Sequence, residues 1–223
     1  LTATDGFFLV ARKPIDKFDW SMLKGKDVIG FRPGSNPIVF LETALRKHGL
    51  DPQKDVKLLN NIGIPARAGA WMAGQGEYGI FLEPEAGELV RNGKGYIVAS
   101  VGHEVGQVDY TVFTATDKYI RDNPKVIQAW TDVVARAEKY VKDTPAATLT
   151  PQIMTFFPGM DQGAVTEAIE RYKQYQIWKT SPLVTAEAMA KLQDMLVASA
   201  VMKETARVKY EDVVVADFAK KVP

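Results

Sequence analysis

The sequence predicts an α/β protein, and three observations carry the reading. Through roughly residues 14–107, apolar runs of strand length alternate with short stretches of helical spacing, the pattern of a largely parallel sheet whose crossovers are helices. Past residue 115 the alternation gives way to longer segments with an apolar period near 3.6, as in helices with one face to bury. Hydrophobic residues make up 46% of the 223-residue chain, enough for a core in one large domain or two small lobes.

Taken in order, Phe7–Val10 is an apolar run bounded by Asp5-Gly6 and Arg12-Lys13-Pro14 and reads as a buried or crossing strand. Leu23-Lys24-Gly25-Lys26 is a turn that launches a strand over Val28–Phe31. The loop Arg32–Pro37 then opens a helix with Ile38, Leu41, Ala44 and Leu45 at helical spacing. Asn36 reads as its N-cap, Pro37 as its first residue and Gly49 as its stop. Val56–Leu59 is a strand, Ala66–Met72 a short helix, and Tyr78–Leu82 a strand that leads through Glu83-Pro84 into a helix over Ala86–Val90. Tyr96–Val101 and Tyr110–Phe113 read as two further strands.

Asn123-Pro124 starts a long helix through Tyr140, Asp161 caps another to about Tyr175, and Thr185–Ala200 is a third. Few strands remain after residue 115 for these helices to cover. They read as the outer layer of a second lobe whose sheet is mostly missing from the chain. Trp71, Phe81, Trp130 and Trp178 read as core residues.

Composition excludes several functions. Charge nearly cancels, with 28 basic against 27 acidic residues and no block of one sign, so nucleic acid is not an expected partner. There is no cysteine, which removes thiol catalysis, thiolate metal sites and disulfides together. Only His48 and His103 could serve a zinc site or a Ser-His-Asp triad, and neither has a second ligand at metal spacing. His48, just before Gly49, reads as a contact at a helix C-terminus. No run approaches the roughly 20 apolar residues of a membrane span. Leu1 opens without a basic region, an apolar run or an initiating Met, so the chain is expected to be a processed protein or a fragment.

Seven stretches carry a family resemblance. Gly6–Arg12, Leu23–Gly30 and the Gly34-Ser35-Asn36-Pro37 helix start resemble, in order and spacing, the nitrate/sulfonate/taurine-type substrate-binding proteins of ABC transporters. That group includes binders of thiamine-pyrimidine precursors. Gly74–Ala86, with its small-residue turn, acidic residue, strand and acidic-Pro step, and Gly93–Ser100 follow where the family has them. Tyr119–Ile127 and Tyr210–Ala219 are similar to its later helix and closing segment.

The resemblance implies a two-lobed type II periplasmic-binding-protein fold, entered here at the first crossover. Residues 1–13 would form the first crossover strand and 14–107 a complete α/β lobe, domain II. Residues 108–223 would form the return crossover and the C-terminal helices of domain I. It further implies an exported monomer, periplasmic or anchored outside the membrane, that captures a small-molecule solute in a cleft between lobes and delivers it to a membrane permease. No catalysis, cofactor or metal is expected.

In such proteins the ligand meets loops at the carboxyl ends of strands and at helix N-termini. Gly34, Ser35 and Asn36 follow one strand and precede a helix, offering N–H groups, a hydroxyl and an amide to an anionic or carbonyl group; alternatively, Asn36 only caps. Pro65 and Ala66 lie in a second such loop, from which Arg67 could reach an acidic ligand group or stay a solvated surface residue. Glu83 could accept hydrogen bonds from an amine, amide or pyrimidine N–H, or cap the helix beyond Pro84. Asp109, Tyr110 and Thr111 lie at the return crossover, where Tyr110 could stack on a planar ligand. Two alternatives stand beside this reading. One is an enzyme on the same fold, such as a desulfinase-like or pyrimidine synthase-like protein; the other is the ligand-sensing domain of a transcription regulator.

Overall fold

The computed structural model describes residues 1–222, the side chain of Ile64 apart; Pro223, at the end of the third expected segment, lies outside them. The chain forms two compact units. One comprises Asp5–Gly106 with Met195–Met202; the other comprises Leu1–Thr4, Gln107–Asp194 and the chain from Lys203 onward.

The first unit is built on a five-stranded sheet: β1 (Phe8–Ala11), β2 (Asp27–Ile29), β3 (Lys57–Leu59), β4 (Tyr78–Phe81) and β5 (Tyr96–Ser100), in the order β3-β2-β4-β1-β5. Helices α1 (Asn36–Lys47), α2 (Arg67–Met72) and α3 (Glu85–Arg91) lie in the connections after β2, β3 and β4, and α4 (Val101–Val105) follows β5 directly. Strand β2 pairs in parallel with β3 and β4, as the βα alternation requires. The sheet is nevertheless mixed rather than largely parallel, because β1 lies between β4 and β5 and runs antiparallel to both. The run Phe8–Ala11 is buried at every position, and a strand covered on both faces carries no alternation that would set its direction.

The core of this unit is closed. Phe8, Leu9, Val10, Val28, Ile29, Ile80 and Phe81 from the strands meet Val39, Phe40, Leu41 and Leu45 from α1, all without solvent exposure. Trp71 of α2 is equally enclosed; its ring packs edge-on to Phe81 at 5.3 Å and lies under the Arg12 guanidinium at 4.0 Å. Arg12 in turn donates to the carbonyls of Trp71 at 2.7 Å, Gln75 at 2.6 Å and Gly76 at 2.5 Å, which fastens the turn before β4 to the end of β1. At the end of α1, His48 is the C-cap residue, and its ring stacks on Trp20 and meets Glu104 at 3.0 Å.

The second unit is helical: α5 (Asp117–Asp122), α6 (Pro124–Asp143), α7 (Ala146–Ile153), α8 (Gln162–Gln174), α9 (Ala186–Ala198) and α10 (Tyr210–Val213). The last turn of α9, from Met195, groups with the sheet unit. Asp161 caps α8 as expected, accepting from Ala164 N–H at 2.9 Å. Three helices were not anticipated: α5, capped by the Thr116 hydroxyl, α7, which contains Pro151, and the short α10. Helices α7 and α8 enclose Ala146, Leu149, Val165 and Ile169.

The strand expected over Tyr110–Phe113 reduces to one antiparallel bridge, Thr111 to Thr2, which itself bridges Trp178. Val112 and Phe113 run on as exposed chain. Trp130, expected in the core, is 50% exposed and touches Phe113 edge to face at 5.0 Å.

Candidate functional site: the carboxyl edge of the parallel strands

Because β2, β3 and β4 are parallel neighbours, the loops that follow them share one edge of the sheet, which is where open α/β sheets hold ligands. Six of the nine expected residues fall there: Gly34, Ser35 and Asn36 after β2, Pro65 and Ala66 after β3, and Glu83 after β4.

The loop after β2 begins with a close approach. A Cβ on Gly30 would strike the Asn60 side-chain oxygen and come within 3.0 Å of Ile38 Cδ1, so only glycine lets the two neighbouring loops lie this near. Gly34 then takes φ +76, a left-handed conformation that favours glycine and turns the chain into α1. The cap is Ser35 rather than Asn36. Ser35 holds extended backbone angles (φ −87, ψ 152), and Asn36 is already the first helical residue.

The Ser35 hydroxyl donates backward to the Arg32 carbonyl at 2.6 Å and makes no capping bond to the helix. Among the described residues, no oxygen therefore accepts from the Asn36 or Ile38 N–H, whereas Val39 N–H reaches Ser35 O at 3.2 Å. A helix start whose first amides lack protein acceptors suits an anionic or carbonyl oxygen.

The second loop forms a 3-10 turn, Ile64–Ala66, with Pro65 and Ala66 exposed. Arg67, the first residue of α2, is neither a surface cation nor open to a ligand. It is 1% exposed, and its guanidinium donates to the carbonyls of Gly30 and Ile80. It also lies 5.0 Å over the Phe31 ring and 5.4 Å over the Phe81 ring. Burial lowers its pKa to about 10, partly opposed by Glu85. Burial in turn raises the Glu85 carboxyl, against the pull of Arg67. The side chain ties the ends of β2 and β4 together from beneath the loops.

Glu83 is half-buried and accepts from Gly87 N–H at 3.1 Å, which is the capping role weighed against ligand contact. The remaining three residues belong to the other unit. Asp109 is 5% exposed and sits at φ +52; it ion-pairs with buried Lys179 through one oxygen and accepts from Thr185 N–H at 3.0 Å through the other. Thr111 bonds the Thr2 hydroxyl at 2.6 Å. Tyr110 is half-buried beside them. Among the described residues, no group of three or more His, Asp or Glu is placed to hold a metal ion, and no helix is long and apolar enough to cross a membrane.

This architecture is that of the periplasmic binding proteins. The chain superimposes on the periplasmic aliphatic sulphonate binding protein SsuA of Escherichia coli with a TM-score of 0.73, at 16% identity, over 98% of its own length and 72% of that protein's. The desulfurization enzyme DSZB shares the fold at a TM-score of 0.59 and 15% identity, over 98% and 76% of the two chains. By sequence, the chain belongs to the NMT1-like family, whose model matches residues 20–155. It is also 36% identical over 222 residues to YtlA of Bacillus subtilis (strain 168), named as a binding protein. The match takes in 100% of this chain and 66% of YtlA.

Proposed function

We propose that the chain is the extracytoplasmic solute-binding component of an ABC importer, in which the carboxyl edge of the parallel strands captures a small molecule for a membrane permease. In this reading residues 1–13 are the first crossover strand, residues 14–107 are the complete lobe, domain II, and residues 108–223 supply the return crossover and helices of domain I. The protein is periplasmic or anchored outside the membrane, works as a monomer and performs no chemistry. The observation that carries the proposal is the α1 start, where the two N–H groups of Asn36 and Ile38 lack acceptors on a fold and in a family of binding proteins. The solute presents a carbonyl or oxyanion oxygen to those amides.

The enzyme reading draws support from the DSZB likeness, which concerns the fold alone. Against it stand a chain without cysteine and the Glu83 and Asp109 carboxylates already engaged with backbone N–H groups.

Native mass spectrometry of the purified protein, repeated after denaturation, tests the proposal. Release of an intact small molecule supports binding. A released mass that shifts on incubation, revealing turnover, refutes it in favour of an enzyme. Thermal-shift titration with an alkanesulfonate, nitrate and an aminopyrimidine then assigns the solute class.

A further inference from the structure

The helical unit holds a cavity of about 630 Å³ whose lining comes from that unit alone, a volume within the range of small-molecule sites. Helix α6 contributes Glu138 and, one turn later, Lys142. Glu138 is 6% exposed, and neither of its carboxylate oxygens accepts a hydrogen bond from a described residue. Its ion-pair partner among the described residues is the Leu1 ammonium at 3.8 Å, which donates instead to the Thr111 carbonyl at 3.0 Å. A buried carboxylate without donors is costly to keep, and burial raises its pKa accordingly. Lys142 is exposed at the rim. The other two lysines of the lining are already held, Lys173 by the Thr144 carbonyl and Lys179 by Asp109 and by the Leu183 carbonyl at 2.6 Å. Tyr172 and Trp178, also in the lining, meet edge to face at 5.4 Å.

We propose that this cavity is a second ligand site, one that takes a small zwitterion with its ammonium on Glu138 and its acid group on Lys142. The buried carboxylate selects the ammonium, whose N–H donors meet acceptor oxygens left open by the protein. The rim lysine selects the acid group. A ligand carrying only a cation would meet the field of the lining lysines without compensation, so the site discriminates against it. The two rings offer an apolar wall to the alkyl chain between the charges and a π-face to the ammonium. One helical turn separates the two charged residues, about 5–6 Å between Cβ atoms, which suits a chain of a few carbons. The solute edge at α1 belongs to the other unit, and this inference stands apart from the reading of that edge.

The test is calorimetric titration of the purified chain with 4-aminobutyrate, its shorter and longer homologues glycine and 6-aminohexanoate, and the single-charge analogues butylamine and butyrate. The best of the three zwitterions should saturate at one per chain and bind at least about tenfold tighter than either analogue, the worth of one hydrogen bond to a charged group. The isosteric Glu138→Gln should weaken that zwitterion and butylamine by about tenfold or more and spare butyrate. Lys142→Met should weaken the zwitterion and butyrate and spare butylamine. The indole N–H resonance of Trp178 should move during the zwitterion titration while the Asn36 and Ile38 amides stay still. Absence of saturable binding by all three zwitterions overturns the proposal, as does equal affinity for zwitterion, amine and acid, or an equal loss of all three in Glu138→Gln. Binding that moves the Asn36 and Ile38 amides also overturns it, because the zwitterion then occupies the α1 edge; that result removes the second site and leaves the solute-binding function standing.

Discussion

In the sheet unit Phe8, Phe40, Ile80 and Phe81 are wholly enclosed, whereas in the helical unit Phe113, Val126, Trp130 and Phe156 stand at 52%, 52%, 50% and 79% exposure. Both units draw on one amphipathic vocabulary. The difference is that the first closes its apolar surface against its own strands and helices. The second has a small closed centre between α7 and α8 and an outer face on α6 that meets solvent. Stability should therefore be concentrated in the sheet unit, and the helical unit should gain most from whatever covers it.

The largest effect expected from this contrast is in the sheet core. Phe81→Ala removes a ring at 0% exposure from contact with Trp71 and Arg67, and should cost about 3–5 kcal/mol in a denaturant midpoint followed by Trp71 fluorescence. A loss under about 1 kcal/mol would break the claim that this core is tightly closed.

Next is Arg67→Met, which leaves the Gly30 and Ile80 carbonyls without their buried donor. It should cost about 2–4 kcal/mol and also loosen the loop after β2, seen as faster exchange of the Val39 amide. Arg67→Lys should recover only part of the loss, since one ammonium cannot span two carbonyls as a planar fork does.

A smaller effect, of opposite sign, is expected in the helical unit. Glu138 is 6% exposed, and neither carboxylate oxygen has a hydrogen-bond partner among the described residues. The Leu1 ammonium at 3.8 Å offsets this only in part. Burial, the leading cause, raises its pKa. The native state thus holds this proton more tightly than the unfolded chain, so the helical unit should gain stability as pH falls from neutral through the raised value toward the ordinary glutamate range. Glu138→Gln should flatten that dependence and stabilise the unit at neutral pH by about 1 kcal/mol, measured by thermal unfolding across a pH series. The smallest effect should come from Trp130→Ser, within about 0.5 kcal/mol in the chain alone, because half of that side chain is already in water.

Much of the sheet unit was legible in the sequence because its signals are local. Glycine and proline punctuate the loops, and strand-length apolar runs alternate with helical spacing. What escaped depends on partners distant in sequence. The direction of β1 is set by neighbours near residues 78 and 96, and a uniformly apolar run fits either orientation. The expected strand at Tyr110–Phe113 has the right residues but pairs at only one position, so its propensity is unanswered. Arg67 carries a surface residue's charge, yet two carbonyls and two rings make burial tolerable, and no local pattern records that. At the site, the placement of Gly34–Asn36 after β2 followed from the strand–loop–helix order. The choice of Ser35 over Asn36 as cap did not, since both residue types cap well and the Arg32 carbonyl decides between them.

The account turns on the exposed start of α1. The most direct test is to titrate the isotopically labelled protein with the solute released in native mass spectrometry and follow backbone amide resonances. The account predicts that the Asn36 and Ile38 signals move together and saturate at one solute per chain. Saturable binding that leaves both resonances unmoved would contradict it.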